Sequence, residues 1–315
     1  MATTVTVEAP ATEPDADSAS SEPPARRRLR RHASKPTKRA ERPSNPWSVG
    51  MVAGTVALTF GLALVGYVAF LAWGSSAQYS RTQSTLYDTF REELVGATAP
   101  VQAPSPPGDP VALVTIPGIG LDQVVVQGAN GSSLTRGLGH RTDTVLPGQE
   151  GVSVIFGRRA AYGGAFSALD TIDIGDQIHA TTGQGEFTYT VDNIRYSDEE
   201  VELPDAAASR LVLVTSDPAW RPGRSLLVSA AIDGKAQAAA VVGAALPSEQ
   251  PLAIEKAAIL PTLLWAQALF LVALGTAWAW LRYTHAVIWM AAAPLFLLVA
   301  WNLFENLTLL LPNTL

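Results

Sequence analysis

In this chain of 315 residues, 48% are hydrophobic and only 16% charged, well below the roughly one quarter expected of a soluble globular domain, so part of the chain is expected in lipid. The formal net charge of −6 hides an asymmetry, because nine of the 22 basic residues lie between Arg26 and Arg42. The absence of cysteine excludes disulfides, thiolate metal sites and any thiol nucleophile.

Residues 1–47 are rich in Ala, Pro, Ser and Glu and then turn basic in RRRLRRHASKPTKRAER. With few large apolar side chains to bury, this composition predicts a disordered, basic cytoplasmic tail. A basic run directly before a hydrophobic segment fits the positive-inside rule better than nucleic-acid binding, so no nucleic-acid partner is expected. Residues 48–73 carry no charge. They are too long for a secretory signal core and lack a small-residue cleavage site, and so read as an uncleaved transmembrane helix with the N-terminus inside. Within 74–110, Leu86, Phe90 and Leu94 recur four apart among charged residues, the spacing of an amphipathic juxtamembrane helix, and VQAPSPPGDP then reads as a Pro-rich linker.

Residues 111–233 are different material. Short β-rich runs, VALVTI, VVV, VSVIF, EFTYTV, LVLVT and SLLVSAAI, alternate with Gly, Pro and Asp turns and predict a mainly β domain, a closed or nearly closed barrel. Residues 234–256 form an Ala-rich linker, and 257–281 and 286–304 each approach the roughly 20 apolar residues of a membrane helix. Arg282 in the connecting RYTH suits a cytoplasmic turn. The predicted topology is multi-pass, three spans in the cell membrane with the β domain extracytoplasmic, and Glu305 and the tail LTLLLPNTL on the outer face. Trp265, Trp278, Trp280, Trp289 and Trp301 read as lipid-facing or interfacial.

The string LVTIPGIGLDQVVVQG, followed by LTRGLGH, LPGQEGVSVIFGRR, FSALDTIDIGDQI, FTYTV and LVLVTSDP, resembles the sortase family, its actinobacterial class E members especially. The resemblance implies a membrane-bound transpeptidase fold. In that family a Cys thiolate attacks a sorting-signal peptide bond, a His manages protons and an Arg steadies the oxyanion. Carried across, the family's Gly-His-Arg falls on Gly157, Arg158 and Arg159, so Arg158 replaces the His. Its Thr-Cys falls on Thr215 and Ser216, followed by Asp217 and Pro218. The Arg opening the last strand falls on Ser225, with Arg224 one residue earlier and therefore on the other face.

A serine hydroxyl needs a base to become a nucleophile, and the guanidinium of Arg158 does not give up its proton. His32 and His285 are cytoplasmic in the predicted topology, and alternation puts His179 on the outer face of its strand. His140, closing GLGH, is left as the candidate rescue base or as an ordinary loop-bonding residue. No catalytic residue is therefore expected, and Arg158, Ser216 and Ser225 are vestigial triad positions. Two arrangements are open for the pocket: an ion pair of Arg158 with Asp217 across the old nucleophile site, or a cationic groove of Arg158, Arg159, Arg221 and Arg224 for a carboxylate or anionic glycan. Groove candidates are Arg159, Thr215, Asp217, Trp220 and Arg224, with Trp220 either a peptide-stacking platform or a local packing anchor. With no metal spacing, phosphate loop or dinucleotide fingerprint, neither metal nor cofactor is expected.

The expected function is a membrane-anchored sortase-fold pseudoenzyme. It would bind a peptide or surface-protein partner, an active sortase among the candidates, in cell-surface and cell-wall protein sorting, without transpeptidation. The alternative is a serine-dependent acyl transferase or hydrolase using Ser216 with His140. A third reading makes the β domain a structural lid on the helical part.

Overall fold

The structure, a computed structural model, describes residues 49–102, 105–198, 209–220, 223–280 and 285–315. The expectations for residues 1–47, Arg221 and Arg282 lie outside these. Residues 53–315 form one compact unit.

Helix α1 (Val49–Ala69) runs through a five-residue π turn, Phe70–Gly74, into α2 (Ser75–Val95). The apolar spacing read from the sequence is the seat of α2, because Leu86 packs on Val124 and Val126 of the β domain and Phe90 is also buried. The later helices are α4 (Ile259–Trp280) and α5 (His285–Thr308), following the one-turn α3 (Gly131–Leu134). Among the described residues, three helical stretches are long and apolar enough to cross a membrane: Ala57–Val95, Lys256–Ala279 and Met290–Thr308. Near the π turn α5 packs against α1, with the Phe70 and Trp301 rings edge-on at 4.9 Å and those of Tyr67 and Phe304 at 5.4 Å. Gly74 leaves room for this crossing, since a Cβ there would lie 3.2 Å from the Trp301 ring.

The β domain is a closed barrel of β1 (Pro110–Ile116), β2 (Leu121–Gln127), β3 (Leu138–His140), β4 (Val152–Phe156), β5 (Gln177–Thr182), β6 (Gly185–Tyr196), β7 (Arg210–Asp217) and β8 (Arg224–Ile232). Around the barrel the order is β1-β2-β3-β4-β7-β8-β6-β5, closing back on β1. The β2–β3 and β4–β7 pairs are parallel and the others antiparallel. Closure leaves no open sheet edge. Successive side chains on a strand point to opposite faces. Leu211 and Leu213 of β7 and Leu226, Val228 and Ala230 of β8 enter the main core. Val212, Val214 and Leu227 pack on the other face with Ala129, Leu134 and Phe156.

The stretch predicted as a linker, 234–256, is bonded along the barrel as a strap. Gln237 N donates to Gly148 O (2.8 Å) and Gly243 N to Thr142 O (3.0 Å). Glu249 is buried and its carboxylate accepts from Ala129 N (3.2 Å), Thr142 N (2.9 Å) and Thr142 Oγ1 (2.6 Å).

Candidate functional site

The site lies where β4 and β7 run out side by side. Phe156 pairs with Val214, after which Gly157 N donates to Val214 O (3.1 Å) and Thr215 Oγ1 to Gly157 O (2.9 Å). These bonds fix the start of the Gly157–Arg158–Arg159 loop against the Thr215–Ser216 end of β7. Position 157 requires glycine for space, because a Cβ there would lie 2.3 Å from the Phe166 ring, a buried member of the core.

The β7–β8 register pairs Ser216 with Ser225 and Asp217 with Arg224. Directly opposite residues share a face, so Ser225 adjoins Ser216, while Arg224 sits with Asp217 on the reverse face. Arg224 Nε donates to Asp217 Oδ2 (3.0 Å), and its guanidinium lies 3.7 Å from the centroid of the Tyr196 ring. Ser225 N donates to Ser197 Oγ (2.9 Å).

The predicted ion pair of Arg158 with Asp217 is not formed. Asp217 is held by Arg224 on the face away from Ser216, and Arg158 turns to Gly131, its Nη2 donating to the carbonyl at 3.2 Å. The Arg158 side chain is only 2% exposed, stands 5.2 Å from the Tyr162 ring centroid, and has no hydrogen-bond partner on Nε or Nη1. Burial lowers its pKa to about 10, which leaves it protonated and no base at neutral pH. Among the described residues, Arg158, Arg159 and Arg224 do not form an open cationic groove either. Arg159 pairs with Asp170 at 2.7 Å and Arg224 with Asp217, Arg158 is buried, and Arg221 is outside the described residues.

Ser216 is fully buried (0% exposed), and its hydroxyl donates to the carbonyl oxygen of Thr314 at 2.8 Å. The same oxygen accepts from Arg159 N at 2.9 Å, and Ala161 N donates to Leu315 O at 3.1 Å. The segment following α5 thus lies in the pocket. Its other side is bonded to the strap: Asn313 Nδ2 donates to Ser248 O (2.7 Å) and Gln250 O (3.0 Å), and Thr314 Oγ1 to Pro251 O (2.9 Å). Asn313, Thr314 and Leu315 are all buried.

The structure does not bring His140 to Ser216 as a rescue base. His140 lies on β3, 0% exposed, with Nε2 donating to Val145 O (2.8 Å) and Nδ1 3.3 Å from Gln127 Oε1. Burial lowers its pKa to about 4, against the hydrogen bond to Val145 and the charge of Asp143, which act the other way. His179 is half-buried on β5, beside its cross-strand neighbour Thr188 at 3.2 Å. Trp220 is 64% exposed, which removes the packing-anchor reading. Among the described residues no cluster of three or more His, Asp or Glu is placed to hold a metal ion.

Two donors thus converge on one peptide carbonyl, as they would in a site that polarises an acyl group. A nucleophile would need the opposite use of Ser216, with its proton drawn to a base and its lone pair free to attack. Sequence reasoning did not find the residues that close the pocket: Asn313 and Thr314, the strap carboxylate Glu249, and Tyr162, whose backbone N–H donates to Ser75 Oγ (3.1 Å) on α2. The polar pair Asn313–Thr314 after a run of leucines was the one available signal.

The sortase domain family model matches residues 114–232. A stretch of 93 residues is 28% identical to sortase D of Bacillus subtilis (strain 168), covering 30% of this chain and 46% of that protein, so the match spans about half the length of the relative. Among solved structures, a Clostridium perfringens sortase D5 transpeptidase is 25% identical over 50% of this chain and 100% of its own, with a TM-score of 0.41. Sortase E from Streptomyces avermitilis is 29% identical over 41% of this chain and 91% of its own, with a TM-score of 0.36. Family match, closed eight-stranded barrel and the order of the motifs along it agree: the β-barrel of this chain is a sortase-family domain.

Proposed function

We propose that this protein is a membrane-anchored, extracytoplasmic sortase-fold protein that holds a peptide in its groove without cleaving it. In this reading the basic tail is cytoplasmic, the three apolar helices span the membrane, and the barrel serves the sorting or assembly of surface proteins, with a peptide, a surface protein or an active sortase as partner. The observation that carries it is the state of Ser216. At the position where the resemblance places the nucleophile stands a buried hydroxyl that donates its proton to a carbonyl, with Arg158 where a base is needed. An unassisted hydroxyl at neutral pH does not sustain acyl transfer. The serine-dependent alternative lacks support in the geometry, because both ring nitrogens of His140 are engaged elsewhere. The structural-lid reading draws on the contacts that tie the barrel to α2, the bond from Tyr162 N to Ser75 Oγ and the packing of Leu86 on Val124 and Val126.

The test is purification of the full-length protein from its own membranes, with mass spectrometry of the Ser216 peptide and of co-purifying proteins. The expected result is unmodified Ser216 together with a cysteine-bearing sortase or a surface protein. An acyl-peptide adduct on Ser216 would overturn the proposal.

A further inference from the structure

Residues 309–315 meet the barrel in a way that ordinary packing of a chain segment does not require. Two independent donors, Ser216 Oγ and Arg159 N, converge on the single oxygen of Thr314, and the Asn313 amide fits between two strap carbonyls. These are directional, sequence-dependent contacts of the kind that recognise a peptide. They are also incomplete: Asn313 Oδ1 and the Nε and Nη1 atoms of Arg158 are buried without partners. Each such atom loses the hydrogen bonds it had in water, which weakens the hold on the segment. The segment is carried by α5, whose contacts with α1 and α2 are made by Trp301, Phe304 and Glu305, so a shift of α5 would pull directly on Thr314.

We infer that residues 311–315 are a resident peptide ligand of the vestigial groove, bound in cis, and that they close Ser216 to every other chain until α5 withdraws them. The inference rests on the reading that the groove holds a peptide without cutting it. It adds that the first occupant is the protein itself and that occupancy is governed from the helical part.

The absence of cysteine supplies the test. Ser216→Cys places a single thiol at the bottom of the groove, and its labelling by a maleimide in the detergent-solubilised full chain reports whether the groove is covered. Labelling is expected to be slow in the otherwise unchanged chain. It should accelerate roughly tenfold or more when Asn313→Ala removes the two amide bonds to the strap, and further when residues 312–315 are deleted. A synthetic peptide with the sequence of residues 309–315, added in excess to the Asn313→Ala chain, should slow it again. Equal rates with and without the segment, or no protection by the peptide, would overturn the inference. The underlying non-cleaving reading fails separately, through an intact mass of the wild-type chain that shows loss of residues beyond Thr314 or an acyl adduct on Ser216.

Discussion

The inner face of β7 and β8 and the corner where the same strands end are built on different terms. Inside, Leu211, Leu213, Leu226 and Val228 belong to the main hydrophobic cluster, and each residue makes its contribution wherever the alternation of the strand places it. At the corner, Ser216 and Ser225 are also buried, yet their partners are polar and come from distant parts of the chain: Thr314 from beyond α5, whose oxygen also accepts from Arg159 N of the β4 loop, and Ser197 from the end of β6. Burial of a polar group is tolerated only when partners arrive, so the core depends on pattern and the corner on assembly.

The largest way to test that contrast is Leu213→Ala, which leaves a cavity in the barrel core and is expected to cost roughly 2–5 kcal/mol, read as a lower urea midpoint for the solubilised chain. The buried His140 of β3 gives a pH-dependent counterpart. Its pKa is about 4 when folded against an ordinary 6.5, so the unfolded chain binds the extra proton first. Stability is fully present above pH 6.5 and falls as pH drops toward 4, by about 3 kcal/mol for this group. His140→Gln should remove that slope, and a mutant slope equal to the wild type would contradict the assignment. Arg158→Met has the opposite sign: replacing a guanidinium with two buried, unpartnered nitrogens by an apolar chain of similar length should raise the midpoint, by on the order of 1 kcal/mol. The smallest effect is expected of Asp217→Asn, which weakens a half-buried pair with Arg224 near the surface. Its midpoint should move little, and less still in high salt.

The same contrast explains what could be read from sequence. VALVTI, VSVIF, LVLVT and SLLVSAAI lie on β1, β4, β7 and β8, because period-two alternation between turn residues is a local property. The offset of Arg224 from Ser225 determined that Arg224 turns away from Ser216, again from alternation alone. The partner of Asp217 was assigned across the pocket to Arg158, whereas it lies directly across the ladder, since the register of β7 on β8 is a long-range fact. The residues covering Ser216 are nearly a hundred positions away, 98 for Thr314, on a segment where only the polar pair Asn313–Thr314 departs from the apolar run before it. The strap escaped for a similar reason, as an Ala-rich stretch shows no periodicity and is held by backbone bonds at Gln237 and Gly243 together with the carboxylate of Glu249.

The backbone bond from Glu255 N to Leu309 O (3.0 Å) joins the end of the strap, just ahead of α4, to the residue after α5, so the helical hairpin leaves the barrel and returns to it at one point. During synthesis the barrel strands emerge first, and domains tend to fold as they emerge. The groove is therefore complete before its cover exists, and it shuts only after both helices have been made and have brought Thr314 back. Closure of the groove thus follows the synthesis of the hairpin, and a covered Ser216 marks a chain whose helical hairpin is already in place.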